Sequence, residues 1–136
     1  MPRLRHDKPN RIPPATRLKY AYQLSSYSPY IYPGWLPILE QLFSDVESCL
    51  NSKEDRSQFQ WAIISEEYGR LNLRYNFHEY LQPNHRHIQD AILSAKVLSA
   101  ITCMQCGCSH GSLLQDTMDC GQHYLTVCGN CLGDVI

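Results

Sequence analysis

The sequence predicts an α+β protein in which a helix, a β-hairpin and a second helix precede a zinc-ribbon-like lobe. Three observations support this fold class. Apolar residues recur every three or four positions in two segments, they alternate in the segment between, and two Cys-x-x-Cys pairs follow. We therefore expect a basic, Pro/Tyr-rich extension at residues 1–33, an α-β-β-α body at residues 34–101 and a metal-binding lobe at residues 102–136.

The N-terminal extension is rich in proline and tyrosine. Seven of the eight prolines lie in residues 1–37, so we expect no regular structure before residue 35. Five tyrosines in residues 20–32 are unusual for a solvated linker. We expect residues 1–14 to be mobile and the segment from Tyr20 to Pro33 to pack as an extended strap on the body. The alternative is that this strap forms a partner-binding surface, because tyrosine is common at interfaces.

Charge is distributed unevenly along the chain. The formal net charge is −1, but residues 1–20 carry six basic side chains and one acidic, whereas the remaining residues carry six basic and twelve acidic. The basic segment is either a solubilising tail that rests on the acidic body or an arm that binds nucleic acid or an acidic partner. The candidate partner-binding residues are Arg3, Arg5, Lys8, Arg11, Arg17, Lys19, Tyr20 and Tyr22.

The first long helix is predicted at residues 36–50. Pro33 and Gly34 interrupt regular structure before it, and Pro37 suits the first helical turn. Cys49 lies near the apolar face and is expected to be a buried thiol with a packing role. That face consists of Leu36, Leu39, Leu42, Phe43, Val46 and Leu50.

A β-hairpin is predicted next, because apolar and polar residues alternate in two neighbouring segments. Residues 65–70 connect the strands, and Gly69 is free to adopt a positive φ there. The polar face of the second strand, with Asn72, Arg74 and Asn76, is expected to be exposed or to contact a partner. The inward-facing residues are predicted to be Phe59, Trp61 and Ile63 in the first strand and Leu71, Leu73, Tyr75 and Phe77 in the second.

The second long helix is predicted at residues 86–100, with Asn84 as its N-cap after Pro83. It leads directly to the first cysteine pair. Its apolar stripe is expected to contain Ile88, Ala91, Ile92, Ala95, Leu98 and Ile101.

The strongest site prediction is one structural Zn²⁺ bound by Cys103, Cys106, Cys128 and Cys131. Two residues separate the cysteines of each pair, so both sulfur atoms can reach one tetrahedral ion, and 21 residues separate the pairs. Because four protein ligands leave no position for water, the site is expected to be structural rather than catalytic. Residues 123–127 alternate and are expected to form the strand that enters the second pair.

Four further residues in this region also have metal-ligand chemistry: Cys108, His110, Cys120 and His123. They could form a second metal site, or His123 could replace one of the cysteines as a ligand. More often such residues are loop groups beside the first site, and this is the interpretation that we favour.

Enzyme chemistry is not expected. The segment from Asn84 to His87 resembles a fragment of a histidine nuclease motif, but both histidines fall at the start of an ordinary helix. Glu66 and Glu67 could act as paired acids, yet neighbouring residues of a strand point to opposite faces. We find no phosphate-binding glycine loop, nucleophile elbow or zincin helix. No apolar run is long enough to span a membrane, and the first residues lack the apolar h-region of a secretory signal, so we expect a cytoplasmic protein.

Three motifs stand in order along the chain: Gly34-Trp35-Leu36-Pro37 at a helix start, Glu66-Glu67-Tyr68-Gly69 on a hairpin, and Cys103-x-x-Cys106-Gly107 closed by Cys128-x-x-Cys131. In this the chain resembles, over about residues 33–131, a loosely defined group of small proteins from phages, prophages and bacterial mobile DNA. This sequence differs in carrying Arg70 where a second glycine is common, and in its long N-terminal extension. The resemblance implies a mobile-element origin and a bacterial host cell rather than a mechanism.

Two functions follow as hypotheses. The first is a non-enzymatic module that binds a host protein complex, for instance as an inhibitor of a defence system of the anti-CRISPR kind, since an acidic body can occupy a DNA-binding groove. The second is a nucleic-acid-binding accessory or regulatory protein that uses the basic arm and its tyrosines. Residues 103–136 contain no lysine or arginine, so the lobe lacks the cations that phosphate contacts require. This absence favours a protein partner.

Overall fold

Three two-stranded antiparallel sheets and a set of helices make up the computed structural model of the chain, which describes residues 9–24, 29–50, 52–77, 82–118 and 121–133. The α+β class is confirmed. No helix in these ranges is long and apolar enough to cross a lipid bilayer.

The N-terminal segment is more ordered than its prolines suggest. Strand β1 (Asn10–Arg11) pairs with β2 (Tyr30–Ile31), and helices α1 (Pro14–Lys19) and α2 (Ala21–Leu24) lie between them. Our expectation of no regular structure before residue 35 is therefore wrong, because Pro14 occupies the first turn of a helix, where a missing N–H costs nothing. Ile12 is buried, so the predicted mobility fails from residue 10 onward; residues 1–8 lie outside the described ranges.

The predicted extended strap is partly helical, and a buried glutamine fixes it to the body. The Gln23 amide donates to the Phe43 carbonyl at 2.9 Å, and its oxygen accepts from Nε1 of Trp61 at 3.0 Å. Gln23 is fully buried, and these bonds satisfy its polar atoms. One side chain thereby joins α2 to the next helix and to the hairpin.

Helix α3 (Leu36–Cys49) follows a short 3₁₀ turn at Pro33–Trp35 and confirms the first predicted helix. Leu36 is only half-buried, and Ile38 packs inward with the rest of the apolar face. Cys49 is half-buried, and burial raises its pKa. Helix α4 (Lys53–Ser57) begins where the Ser52 hydroxyl accepts a hydrogen bond from the Asp55 N–H.

The hairpin consists of β3 (Phe59–Glu67) and β4 (Arg70–Phe77). A bulge at Ala62 shifts the alternation in β3, so Ile64 is buried and Ile63 only partly, contrary to the predicted period. The turn has only two residues, Tyr68 and Gly69, with φ values of 52° and 78°. The positive φ predicted for Gly69 is confirmed, and the turn is of the tight kind that hairpins favour.

Helix α5 (Gln82–Ser99) starts four residues earlier than predicted, with Asn84 inside its first turns rather than at the N-cap. It packs on α3 and on β4, where the Leu71 N–H donates to the Ser99 hydroxyl at 3.0 Å. Ile88, Ile92 and Ala95 are buried as predicted. The end of the predicted stripe is wrong, because Leu98 and Ile101 remain 45% and 48% exposed.

The C-terminal part is a hairpin of β5 (Ser112–Met118) and β6 (Gly121–Val127), followed by α6 (Gly129–Gly133). Strand β6 contains the predicted strand at residues 123–127. Buried residues from the N-terminal segment, the body and this hairpin belong to one hydrophobic cluster, which contains Ile12, Trp35, Met104 and Leu125 among others. The metal-binding region therefore rests directly on the main core.

Candidate metal centre

The β5–β6 hairpin brings the two cysteine pairs together. Cys103 and Cys106 precede β5, and Cys128 and Cys131 follow β6. Because Ser112 pairs with Val127 at the base of the hairpin, the two ends of the motif meet. The four Sγ atoms all lie within 4.8 Å of one another, and those of Cys106 and Cys128 are 3.6 Å apart. The sequence prediction that these four residues form one cluster is confirmed.

The cluster has the dimensions of a metal site. A tetrahedral ion with metal–sulfur bonds of about 2.3 Å places its sulfur ligands about 3.8 Å apart, which agrees with the observed spacing. Cys103 and Cys128 are buried, Cys131 is half-buried, and Cys106 is exposed at the rim. The four cysteines can therefore hold a metal ion at the edge of the core.

Backbone N–H groups favour two of the thiolates. The N–H of Cys131 points to the sulfur of Cys128 at 3.4 Å and lowers the pKa of Cys128 to about 6. Burial raises the pKa of Cys103, but hydrogen bonds from the backbone of Cys106, Cys128 and Gln105 outweigh it and leave that pKa below its ordinary value.

The other two thiols resist ionisation beside these thiolates. Burial, followed by the neighbouring sulfur of Cys128, raises the pKa of Cys131. A backbone N–H from Cys108 lowers the pKa of Cys106, but burial and neighbouring thiols raise it to about 11. Four adjacent sulfurs cannot all carry negative charge unless a cation offsets their repulsion. These pKa values therefore fit a site in which Cys106 and Cys131 lose their protons when a metal ion binds.

The first cysteine pair forms a tight turn that depends on a glycine. Gly107 has a φ of 82°, and its N–H donates to the carbonyl of Cys103 at 2.9 Å. The carbonyl of Cys108 accepts from the N–H of Cys103, also at 2.9 Å. These bonds hold both sulfurs of the pair on one side of the turn.

Gly34 and Trp35 fasten this turn to the start of α3. The Gly34 N–H donates to the Met104 carbonyl at 2.8 Å, and Nε1 of Trp35 donates to the Thr102 carbonyl at 3.0 Å. A Cβ at Gly34 would overlap the Cys103 carbonyl oxygen and lie 2.7 Å from the Gly107 nitrogen. Sequence reasoning treated Gly34 only as a helix boundary and missed this contact. The feature of the sequence that could have indicated this contact is the Gly34-Trp35 pair just before a helix with proline in its first turn.

A second set of contacts joins the turn to β6 and then to the first hairpin. The Met104 N–H donates to the Thr126 carbonyl at 2.8 Å, and Thr126 donates in turn from its hydroxyl to the Gly69 carbonyl at 2.7 Å. The rings of Tyr68 and Tyr124 meet edge to face at 5.4 Å. Strand β6, which leads into the second cysteine pair, thus fixes the position of the β3–β4 turn.

The residues considered for a second metal do not form a described cluster. Cys108 is half-buried beside the first site and His110 is exposed. Cys120 and the side chain of His123 lie outside the described part of the chain, so a second metal site stays a hypothesis. Within the described residues, the one group with metal-ligand geometry is the four-cysteine cluster.

The N-terminal residues that we predicted to contact a partner lie in different environments. Tyr20 is buried against Phe43 and leaves little surface for a partner. Tyr22 is half-buried under the Arg56 guanidinium. The candidates Arg11, Arg17 and Lys19 lie on β1 and α1; Arg11 contacts the Tyr30 ring, and Lys19 lies over the Tyr20 ring. Arg3, Arg5 and Lys8 lie outside the described residues.

Two of the residues that we considered as catalytic groups, His85 and Glu66, make contacts within the fold. His85 lies 3.1 Å from the Tyr75 hydroxyl and 2.9 Å from the Gln89 amide. The Glu66 carboxylate accepts from the Gly69 N–H at 3.2 Å and so stabilises the tight turn. His87 is exposed.

No protein-family model matches the chain, and no curated protein or solved structure is significantly similar to it. The resemblance to small mobile-element proteins therefore remains a prediction from three short features. The structure shows what these features do in this chain. The Gly34-Trp35 pair holds the first cysteine turn, the Tyr68-Gly69 turn contacts β6, and the cysteine pairs meet in one cluster.

Proposed function

We propose that the chain is a non-enzymatic binding protein that one structural Zn²⁺ holds in its active shape. The observation that carries the proposal is the closed four-thiol cluster, in which the protein fills every position of a tetrahedral ion. A site of this kind stabilises a fold and offers no open position to a substrate. Zn²⁺ is the ion we propose, because four thiolates in tetrahedral geometry suit it well.

The bound ion would supply the positive charge that keeps four neighbouring thiolates ionised. Hydrogen bonds within the chain would connect this site to other surfaces. Met104 and Thr126 transmit the position of the cysteine turn to Gly69 on the first hairpin. Gly34 and Trp35 transmit it to α3. The metal-binding energy is therefore available to order surfaces well away from the sulfur atoms.

A protein complex of the host cell is the partner that we propose. Residues 103–136 carry no lysine or arginine, and this argues against a phosphate-binding finger. Large apolar side chains are exposed on α5 and β5, as at many protein interfaces. The resemblance to phage and prophage proteins favours a bacterial cytoplasmic setting, where an acidic protein can block a nucleic-acid-guided defence complex, as anti-CRISPR inhibitors do.

Metal analysis tests the first half of this proposal. Protein purified without chelator should contain about one zinc per chain, and less than about half an equivalent, or another metal in its place, would overturn the assignment. Cys128→Ser should lose the metal and expose residues 102–133 to hydrogen exchange, while α3 remains protected. Equal zinc content in the variant and the wild type would also contradict the proposal.

Affinity capture from a nuclease-treated bacterial lysate tests the second half. The zinc-loaded protein should retain a defined set of host proteins, and Cys128→Ser should not. A gel-shift assay with DNA and RNA at moderate salt gives the competing result. Because Ile12 and Tyr20, on either side of α1, are buried in the core, the arm should be tested by deleting residues 1–8 alone. Nucleic-acid binding that this deletion abolishes, with no protein captured, would favour the accessory-factor hypothesis over ours.

A further inference from the structure

Exposed apolar side chains are concentrated along one groove of the molecule. Of the eight large hydrophobic residues that are well exposed in the described part of the chain, five line this groove. Their exposed fractions range from 48% to 65%. We call this surface the α5 groove, and its apolar residues are Tyr68, Leu93, Val97, Ile101 and Leu113.

The α5 groove lies between α5, the turn of the first hairpin and strand β5. Leu93 and Val97 are four residues apart on α5, and Ile101 follows just beyond its C-terminal end, so the three form a row about 12 Å long. The depression has a volume of about 670 Å³, and it continues past Leu93 and Lys96 into a second one of about 450 Å³ beside Leu73 and Ile92. Together they offer room for several side chains of a bound segment.

The rim of the groove is positive although the surrounding protein is acidic. Residues 21–136 contain six basic and twelve acidic side chains. Three of the six basic residues, Arg70, Arg74 and Lys96, line the two depressions. Among the described residues, Glu67 is the one acidic side chain that lines them. Charge is therefore segregated so that this groove attracts negative groups.

We propose that the α5 groove binds a short polypeptide segment of a partner, in which apolar side chains are flanked by carboxylates. The proposal rests on the proposed function and names the surface that performs it. Aliphatic side chains on the groove floor match apolar anchors, and the three cations match the flanking acids. Nucleic acid fits less well, because base stacking needs aromatic platforms and Tyr68 is the one aromatic residue among the exposed groove residues.

The metal centre helps to build this groove. Leu113 forms the wall on β5, and a Cβ added at Gly69 would lie 2.6 Å from its Cδ1 atom, so turn and strand are in close contact. The Thr126 hydroxyl holds the same turn through the Gly69 carbonyl. Zinc would thus keep two walls of the groove together, so segment binding should require the metal-loaded protein.

Selection from a random 12-residue peptide library, displayed on phage, tests the proposal with the full-length, zinc-loaded protein. Enriched peptides should combine leucine, isoleucine or phenylalanine with aspartate or glutamate. In fluorescence polarisation, Val97→Asp should weaken their binding about tenfold or more, and the Arg74→Glu/Lys96→Glu variant should do the same. Both changes are at the surface, and thermal unfolding should show that the variants remain folded.

Matched controls come from the same molecule. Leu18 is 82% exposed on α1 and outside the groove, and Arg86 is an exposed cation at the other end of α5. Leu18→Ser and Arg86→Glu should leave peptide binding unchanged. No enriched peptide, or peptides insensitive to Val97→Asp, would overturn the proposal. A labelled single strand of DNA that competes for the groove would do so as well.

Self-association is tested by light scattering. A dimer that Val97→Asp dissociates would show that a second copy occupies the groove, and this result would also overturn the proposal. The proposed function is tested separately by lysate capture. If capture succeeds and is indifferent to Val97→Asp, the proposed function stands and the groove proposal is overturned, because the chain then binds a protein through another surface. If nothing is captured, the proposed function fails.

Discussion

Replacing Gly34 with alanine should disrupt the metal centre from outside it. The added Cβ would overlap the Cys103 carbonyl oxygen and lie 2.7 Å from both the Gly107 nitrogen and the Met104 carbonyl carbon. All three are backbone atoms, so no side-chain rotation can relieve the overlap. Either the first cysteine turn or the start of α3 must move.

The cost follows from the contacts that such a movement breaks. The Gly34–Met104 and Trp35–Thr102 hydrogen bonds would be lost or lengthened, and the Trp35 ring is fully buried. A buried group left without its partner costs about 1–3 kcal/mol. We therefore expect a loss of about 3–5 kcal/mol in the free energy of unfolding. Zinc affinity should fall about 10- to 100-fold, as is usual when groups that orient ligands are changed.

Urea denaturation and zinc competition with a chromogenic chelator measure these two quantities. Gly129→Ala is the matched control, because Gly129 also adjoins a ligand cysteine but nothing lies within 4 Å of an added Cβ. Its unfolding free energy should change by less than about 0.5 kcal/mol. Wild-type stability and zinc affinity in Gly34→Ala would refute the reasoning, as would equal damage from the two substitutions.

Three other predictions concern the thiols, the buried amide and a buried phenol. Zinc binding near neutral pH should release about two protons or more, because the pKa values of Cys106 and Cys131 are raised in the metal-free cluster. Calorimetry in buffers of different ionisation enthalpy should detect this proton release. A binding enthalpy that does not depend on the buffer would contradict the prediction. Gln23→Ala should lower the unfolding free energy by about 2–4 kcal/mol, since it removes two buried hydrogen bonds and leaves Nε1 of Trp61 unpaired, whereas the exposed Gln41→Ala should change it little in the same urea titration. Burial, reinforced by the charge of Glu66, raises the pKa of Tyr32 above its ordinary 10.0. The folded state therefore favours the neutral phenol, and this stabilisation is complete below pH 10 and lost as pH rises beyond it. Tyr32→Phe should flatten that alkaline fall in stability, and an unchanged pH profile would count against the assignment.

Periodic apolar patterns and cysteine spacing were sufficient to predict the two long helices, the first hairpin and the four-cysteine cluster. These features depend on local rules, since a helix face or a Cys-x-x-Cys turn is determined by neighbouring residues. The bulge at Ala62 follows no such rule. It arises because the residues on both sides of it must pack inward, so Trp61 and Ile64 are buried three positions apart.

The N-terminal helices and the role of Gly34 could not be predicted for a different reason. Proline disrupts the interior of a helix but is favourable in its first turn. Pro14 therefore argues against a helix or for one, depending on where the helix begins. Gly34 contacts residues about 70 positions later in the chain, and a single sequence does not reveal such a pairing. The exposure of Leu98 and Ile101 likewise depends on which elements cover α5, rather than on its own periodicity.

The bonds between Trp35 and Thr102 and between Gly69 and Thr126 span 67 and 57 residues. Contacts of this separation slow folding, because a long loop must close before they form. During synthesis on the ribosome, α3 and the first hairpin emerge well before the cysteine turn that fixes them. Residues 36–77 must therefore wait, with their apolar faces incompletely covered, until the segment from Thr102 to Thr126 has been made. Zinc capture is then a step that follows the synthesis of both cysteine pairs, and the folding yield in a cell should depend on the supply of the metal at that moment.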